Sequence, residues 1–78
     1  MIRELDPVVL THDIPEHGLT QGDMGAMVHS YKEGAAFEVE FVTAEGKTVA
    51  LLTLNRADVR AVSGREVLHV RERARVAA

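Results

Sequence analysis

The 78-residue chain has no cysteine, two prolines and three aromatic residues, and its only serines are Ser30 and Ser63. Without cysteine there are no disulfide staples, no thiolate zinc sites and no cysteine nucleophile. No apolar run approaches the roughly 18 residues of a membrane span, and no charged-then-apolar signal segment opens the sequence. A cytosolic location is therefore expected. Neither serine sits in the strained, glycine-flanked elbow that a serine nucleophile uses.

What is present is ordinary for one small globular domain: 46% hydrophobic and 27% charged residues, with a net charge of −3. A chain of this length buries only about 60–65% of its unfolded surface, so its core is thin. The charge is uneven. Residues 1–62 hold five bases against ten acids, a balance of −5, whereas residues 63–78 hold four arginines against two glutamates, a balance of +2. The change falls at Ser63-Gly64, a turn-forming pair. The expected organisation is an acidic domain over residues 1–62 and a basic, arginine-rich tail over 63–78.

The hydrophobic pattern predicts short strands and almost no helix. Asp6–Thr11 opens with a turn-like Asp-Pro and continues with β-branched residues, as a first strand does. A long loop over 12–23 follows, in which Ile14 and Leu19 are expected to fold inward. Gly22-Asp23-Met24-Gly25 predicts a tight turn, its glycines demanding positive φ or close backbone approach. Ala26–Tyr31 is the second strand, and Lys32–Ala35 a hairpin with Gly34 in the left-handed position. In Ala36–Val42 the residues Phe37, Val39 and Phe41 alternate with Glu38 and Glu40, giving one apolar and one acidic face. Lys47–Leu54 is expected to be a strand buried on more than one side. A single 3₁₀ turn at Asn55–Asp58 precedes a fifth strand, Val59–Val62. Five strands, one long loop, two hairpins and a 3₁₀ turn describe an all-β, SH3-like barrel, with closure removing exposed sheet edges.

The run Glu4-Leu5-Asp6, Val8-Val9-Leu10, Asp13-Ile14-Pro15-Glu16-His17-Gly18-Leu19, Gly22-Asp23, Gly25 and Phe37-Glu38-Val39-Glu40-Phe41 resembles the bacterial family known as domain of unknown function 4926. Thr48-Val49-Ala50, Leu52-Thr53-Leu54 and Asp58-Val59-Arg60 extend the resemblance to roughly residues 2–62, with Met27 standing where the family pattern has valine. The family has no assigned activity, so the resemblance implies a fold and leaves function open. The layout is also similar to small electron-transfer accessory barrels, such as a photosystem I subunit and the variable chain of ferredoxin–thioredoxin reductase. These are docking modules without catalysis of their own, and by analogy they imply an interaction role.

Three chemistries are open to the residues. His12 and His17, with Asp13 and Glu16 beside them, are weak candidates for a nitrogen-and-oxygen metal site, although no recognised ligand spacing is present. Glu38 and Glu40 lie two apart on one strand face; paired acids do acid–base work when a cleft buries them, but a barrel this small offers little concavity. No catalytic residue, and no cofactor, is expected. Arg56, Arg60, Arg71, Arg73 and Arg75 could attract nucleic acid, yet the domain is acidic, and only Tyr31 is free to stack on a base. The segment 67–78 has three readings: a strand over its first half, where apolar and basic residues alternate, which would extend the sheet or pair with a second copy of the chain; a short helix, which the Arg, Glu and Ala content from Arg71 onward favours; or a disordered terminus.

The expectation is a non-catalytic interaction module, an enzyme accessory or antitoxin-like protein. Its acidic face, built from Glu38, Glu40 and Glu45 with loop residues Asp13, Ile14, Glu16 and Asp23, would dock onto a basic surface of a partner protein. The acidic charge of the domain argues against nucleic acid as a partner, and a membrane is not expected as one.

Overall fold

The computed structural model describes residue 2 and residues 4–72. Five strands are present, β1 (Pro7–Leu10), β2 (Met24–Tyr31), β3 (Ala36–Val42), β4 (Thr48–Asn55) and β5 (Val59–Ala61), and they form one antiparallel sheet in the order β4-β3-β2-β1-β5. All five strands lie where the pattern predicts them. The main shift is at β2, which starts at Met24 because the preceding turn closes earlier, the Asp23 amide donating to the Thr20 carbonyl at 3.0 Å.

The sheet is not closed, which corrects the barrel expectation. β4 and β5 are its two edges, and no ladder joins them among the described residues. β5 is three residues long and spends its pairing on β1, in the register Val8–Ala61 to Leu10–Val59. The long loop, rather than strand closure, completes the core: Ile14 and Leu19 bridge each other and are 7% and 3% exposed. They join Val8, Leu10, Met27, Phe37, Val39, Phe41, Ala50, Leu54 and Val59 in one buried cluster.

Two further expectations change. No 3₁₀ helix precedes β5; one occurs at Pro15–His17 instead, and Lys32–Gly34 makes a tight turn in which Lys32, Glu33 and Gly34 all have positive φ. At 55–58 there is the expected single turn, closed by the Asp58 amide donating to the Asn55 carbonyl at 3.0 Å and reinforced by side chains, the Asn55 amide donating to Asp58 Oδ2 and the Ala57 amide to Asn55 Oδ1, both at 2.9 Å. β4 is buried on one side only. Ala50 and Leu54 face the core while Leu51 is 53% exposed, because nothing covers the outer face of this edge strand.

The glycine pair of the β1–β2 loop divides its two roles. Gly22 has φ +92° and open space around it. Gly25 instead sits under β3: a Cβ there would lie 2.8 Å from Val39 Cγ1 and 2.9 Å from both the Glu40 carbonyl oxygen and Phe41 Cε1. It is the small residue that lets β2 pack against the inward face of β3.

Residues 62–72 adopt neither strand nor helix, which corrects the added-strand expectation for the first half of the tail. A turn at Ser63–Glu66 redirects the chain, with the Glu66 amide donating to the Ser63 carbonyl at 3.0 Å, and Val67, Leu68 and His69 then line a groove with Val9, Met24 and Arg60. Residues 73–78, with Arg73 and Arg75, lie outside the described residues. Among the described residues, no helix is long and apolar enough to cross a membrane.

Candidate functional site

Side chains on the outward face of β3 are set by strand alternation. Phe37, Val39 and Phe41 point into the core, so Glu38 and Glu40 point out, each half-exposed. Cross-strand register decides their neighbours. Glu38 lies opposite His29 on β2 and Thr53 on β4, and Glu40 lies opposite Ala26 and Leu51. A bulge at Val28 in β2 shifts the register between Met27 and His29. It turns the His29 ring onto the outward face beside Glu38, a re-aiming that bulges commonly perform. There His29 Nδ1 lies 3.9 Å from Glu4 Oε1, and its ring meets Tyr31 edge-on with centroids 4.5 Å apart. Glu40 accepts a hydrogen bond from Thr48 Oγ1 at 2.8 Å, which holds its carboxylate over the sheet.

Apolar side chains share this face. Leu5, Met24, Val42 and Leu51 are all exposed, Leu5 most of all at 77%. Leu5, Met24 and Val42 line a shallow groove with Pro7, Ala26 and Glu40. The outcome is a patch of exposed apolar residues with carboxylates at its border.

The remaining acids of the expected docking set have other placements. Ile14 is buried in the core and is corrected from docking contact to packing residue. The Asp13 carboxylate accepts the Gln21 amide at 2.7 Å, fastening the loop across its base. Glu16 is exposed in the Pro15–His17 turn, and Glu45 is exposed at the β3–β4 turn. Asp23 accepts the Thr20 amide at 2.9 Å and is gripped by Arg71, whose Nε donates to Oδ1 at 2.7 Å and Nη2 to Oδ2 at 2.6 Å. The Arg71 fork, helped by the Thr20 amide, holds the Asp23 carboxyl below its ordinary value against the opposing effect of burial.

The arginines of the nucleic-acid alternative are similarly distributed. Arg60 pairs in bidentate fashion with Glu66, both contacts 2.6 Å, and this fork, with the Ser63 amide, lowers the Glu66 carboxyl to about 2. Arg71 is committed to Asp23. Arg56 lines a separate groove with Ile2, Ser30, Glu33, Gly34 and Phe37. The described arginines therefore form no common basic patch of unpaired charge.

His17 is exposed in the Pro15–His17 turn, and His12 is engaged by other groups. His12 Nε2 lies 2.7 Å from Asp58 Oδ1, and its Nδ1 lies 2.8 Å from the Asp13 carbonyl oxygen. Both partners only accept, so both ring nitrogens donate, which is the pattern of an imidazolium. The Asp58 hydrogen bond first, and the Asp13 carbonyl second, raise its pKa above the ordinary histidine value. Among the described residues no three histidine, aspartate or glutamate side chains gather as a metal-binding group.

The tail-to-loop pairing and the His12–Asp58 pairing were not legible in the sequence. They join residues 48 and 46 positions apart, and no local pattern encodes them.

Nothing among curated proteins and nothing among solved structures matches the chain. One family model does, over residues 4–61, a span that takes in all five strands and ends with β5. That covers well over half of the sequence, and the chain belongs to the family described as domain of unknown function DUF4926.

Proposed function

We propose that this protein is a non-catalytic interaction module that docks through the outward face of its sheet onto a basic surface of a partner protein. The observation that carries the proposal is the composition of that face. Exposed Leu5, Met24 and Val42 line a groove that Glu40 borders, Leu51 lies opposite Glu40, and Glu38 stands one pleat further along β3. Specific interfaces combine an apolar centre with a polar border. There the charges set partner choice and association rate, and the desolvated apolar groups set residence time.

The acids of this face are also little consumed by structural duties. Asp13, Asp23, Asp58 and Glu66 each hold backbone amides or cationic side chains of their own fold, whereas Glu40 accepts one hydroxyl, that of Thr48, and Glu38 stands between His29 and Thr53 on the strand face. Docking through Glu38 and Glu40 therefore costs the fold little.

The reading is tested by co-purification with the tagged full-length chain at low and at high salt. Steered association between charged faces weakens as ions screen it. A partner recovered at low salt and lost at high salt is the expected result. Recovery that is indifferent to salt would remove the electrostatic part of the proposal.

A further inference from the structure

The strap formed by residues 66–72 is held at its start by the Arg60–Glu66 fork and at its far end by one arginine. Arg71 Nε and Nη2 engage the two Asp23 oxygens, and Nη2 also donates to the Gly18 carbonyl at 2.9 Å. The apolar residues of the same strap bury little: Val67 is 93% exposed, Leu68 65% and Val70 90%. Beside Arg71 a groove of about 460 Å³ has Leu19, Met24, Phe41, Val42 and Val49 of the domain along one side and the strap, with Val70, along the other, and Val70 stays 90% exposed rather than filling it.

The acceptor set exists without the strap. Gly18 closes the Pro15–His17 turn in the left-handed conformation, its amide donating to the Pro15 carbonyl. Asp23 is fixed by the Thr20 amide and by the Leu10 amide donating to its carbonyl at 2.9 Å. With Arg71 seated on it the Asp23 side chain is 16% exposed, so its carboxylate is paired rather than hydrated. The two carboxylate oxygens and the carbonyl match the fork of a guanidinium, which an ammonium does not reproduce.

We propose that Asp23 and the Gly18 carbonyl form an arginine-recognition site for an extended segment of a partner protein, and that Arg71 is its intramolecular occupant. The favoured ligand carries a large apolar side chain immediately before its arginine. That side chain enters the groove that Val70 leaves open, while the arginine replaces Arg71. Tethering gives the strap an effective concentration on the order of millimolar, so an equivalent free peptide competes poorly. Burial of one leucine-sized group improves the competitor by about tenfold to a hundredfold. The strap thus sets a threshold that excludes lone arginines and admits the two-point ligand. The two sites share Met24 and Val42 but use different charged groups, Asp23 here and Glu38 with Glu40 there, so charge substitutions tell them apart.

The test uses full-length chains and a fluorescent hexapeptide, Val-Leu-His-Leu-Arg-Glu, with a second probe in which lysine replaces the arginine. Arg71→Ala empties the site, and Arg71→Lys does so with the charge retained, so that one freed variant serves if the other unfolds. Both are checked by circular dichroism. The expected result is binding of the arginine probe at least tenfold tighter by the freed variants than by the wild type. Binding is at least tenfold weaker for the lysine probe, and is abolished by Asp23→Asn in the Arg71→Ala chain. Glu38→Lys leaves these affinities unchanged. Folded variants that bind the arginine probe no better than the wild type overturn the proposal, as does equal binding of the two probes. A wild-type chain that doubles its mass in light scattering, and reverts on Arg71→Ala, overturns it in favour of tail exchange between two copies.

Discussion

His12 donates to Asp58 across 46 residues, ring nitrogen to carboxylate oxygen at 2.7 Å, and so fastens the start of the long loop to the β4–β5 turn. The contact has company: the Thr11 amide donates to the Asp58 carbonyl at 2.9 Å, and the Asp58 carboxylate also receives the Asn55 amide. Its pH dependence follows from the sign of each shift. The folded His12 pKa is raised above 6.5 by the Asp58 hydrogen bond first. Its contribution is complete below 6.5 and fades as pH rises through the folded value. For Asp58, partial burial pushes the pKa up but is outweighed by the hydrogen bonds from Asn55 and His12, so the value falls below 3.8. That contribution is present above 3.8 and fades in acid. Thermal melts across pH are expected to peak between 4.5 and 6.5, where Glu66 also remains ionised. His12→Asn removes the decline on the alkaline side; an unchanged pH profile in that variant would contradict the pairing.

Gly25→Ala is expected to destabilise the fold by about 1–3 kcal/mol, through overpacking against Val39 and the β3 backbone. For a domain of this size that lowers the melting temperature by roughly 5–20 °C. Gly64→Ala, with nothing within 4 Å of its added carbon, is the control and leaves the melt essentially unchanged.

The one-sided burial of β4 separates two leucines that the sequence alone treats alike. Leu54→Ala removes a core side chain opposite Phe37 and costs about 2–5 kcal/mol in denaturant unfolding. Leu51→Thr changes an exposed outward position and stays within about 0.5 kcal/mol of the wild type. Equal losses at both sites would mean that β4 is covered on both faces.

Glu66→Gln breaks the fork with Arg60 and weakens the Ser63–Glu66 turn that redirects the tail. Because the pair is solvent-exposed, the global melt changes little. Limited proteolysis within residues 67–72 is expected to accelerate severalfold, and acidification of the wild type toward the Glu66 value of about 2 produces the same effect. Unaltered cleavage would show that the turn does not anchor the tail.

The strands and the inward and outward faces of β3 were legible because period-two alternation encodes them locally. Phe37, Val39 and Phe41 face the core as the pattern predicts. The inward anchors Ile14 and Leu19 were legible too, being isolated apolar residues in a polar loop. Sheet closure was misjudged because the pattern of a strand carries no information about whether its far edge finds a partner. The one-sided burial of Leu51 was missed for a related reason: a continuous apolar run looks the same on a central strand as on an edge. Of the expected docking acids, strand alternation correctly placed Glu38 and Glu40 outward. The commitments of Asp13 and Asp23 rest on contacts with Gln21 and Arg71, and loop sequence does not specify such pairings.

The central claim is that the outward acidic face is the contact surface, and charge reversal tests it most directly. The tagged full-length wild type and the Glu38→Lys/Glu40→Lys double variant are compared by quantitative recovery of co-purifying protein, after melts confirm equal stability. The expected result is a partner with a basic surface retained by the wild type and reduced at least tenfold with the double variant. Equal recovery of that partner by both chains, or no partner with either, would contradict docking through this face.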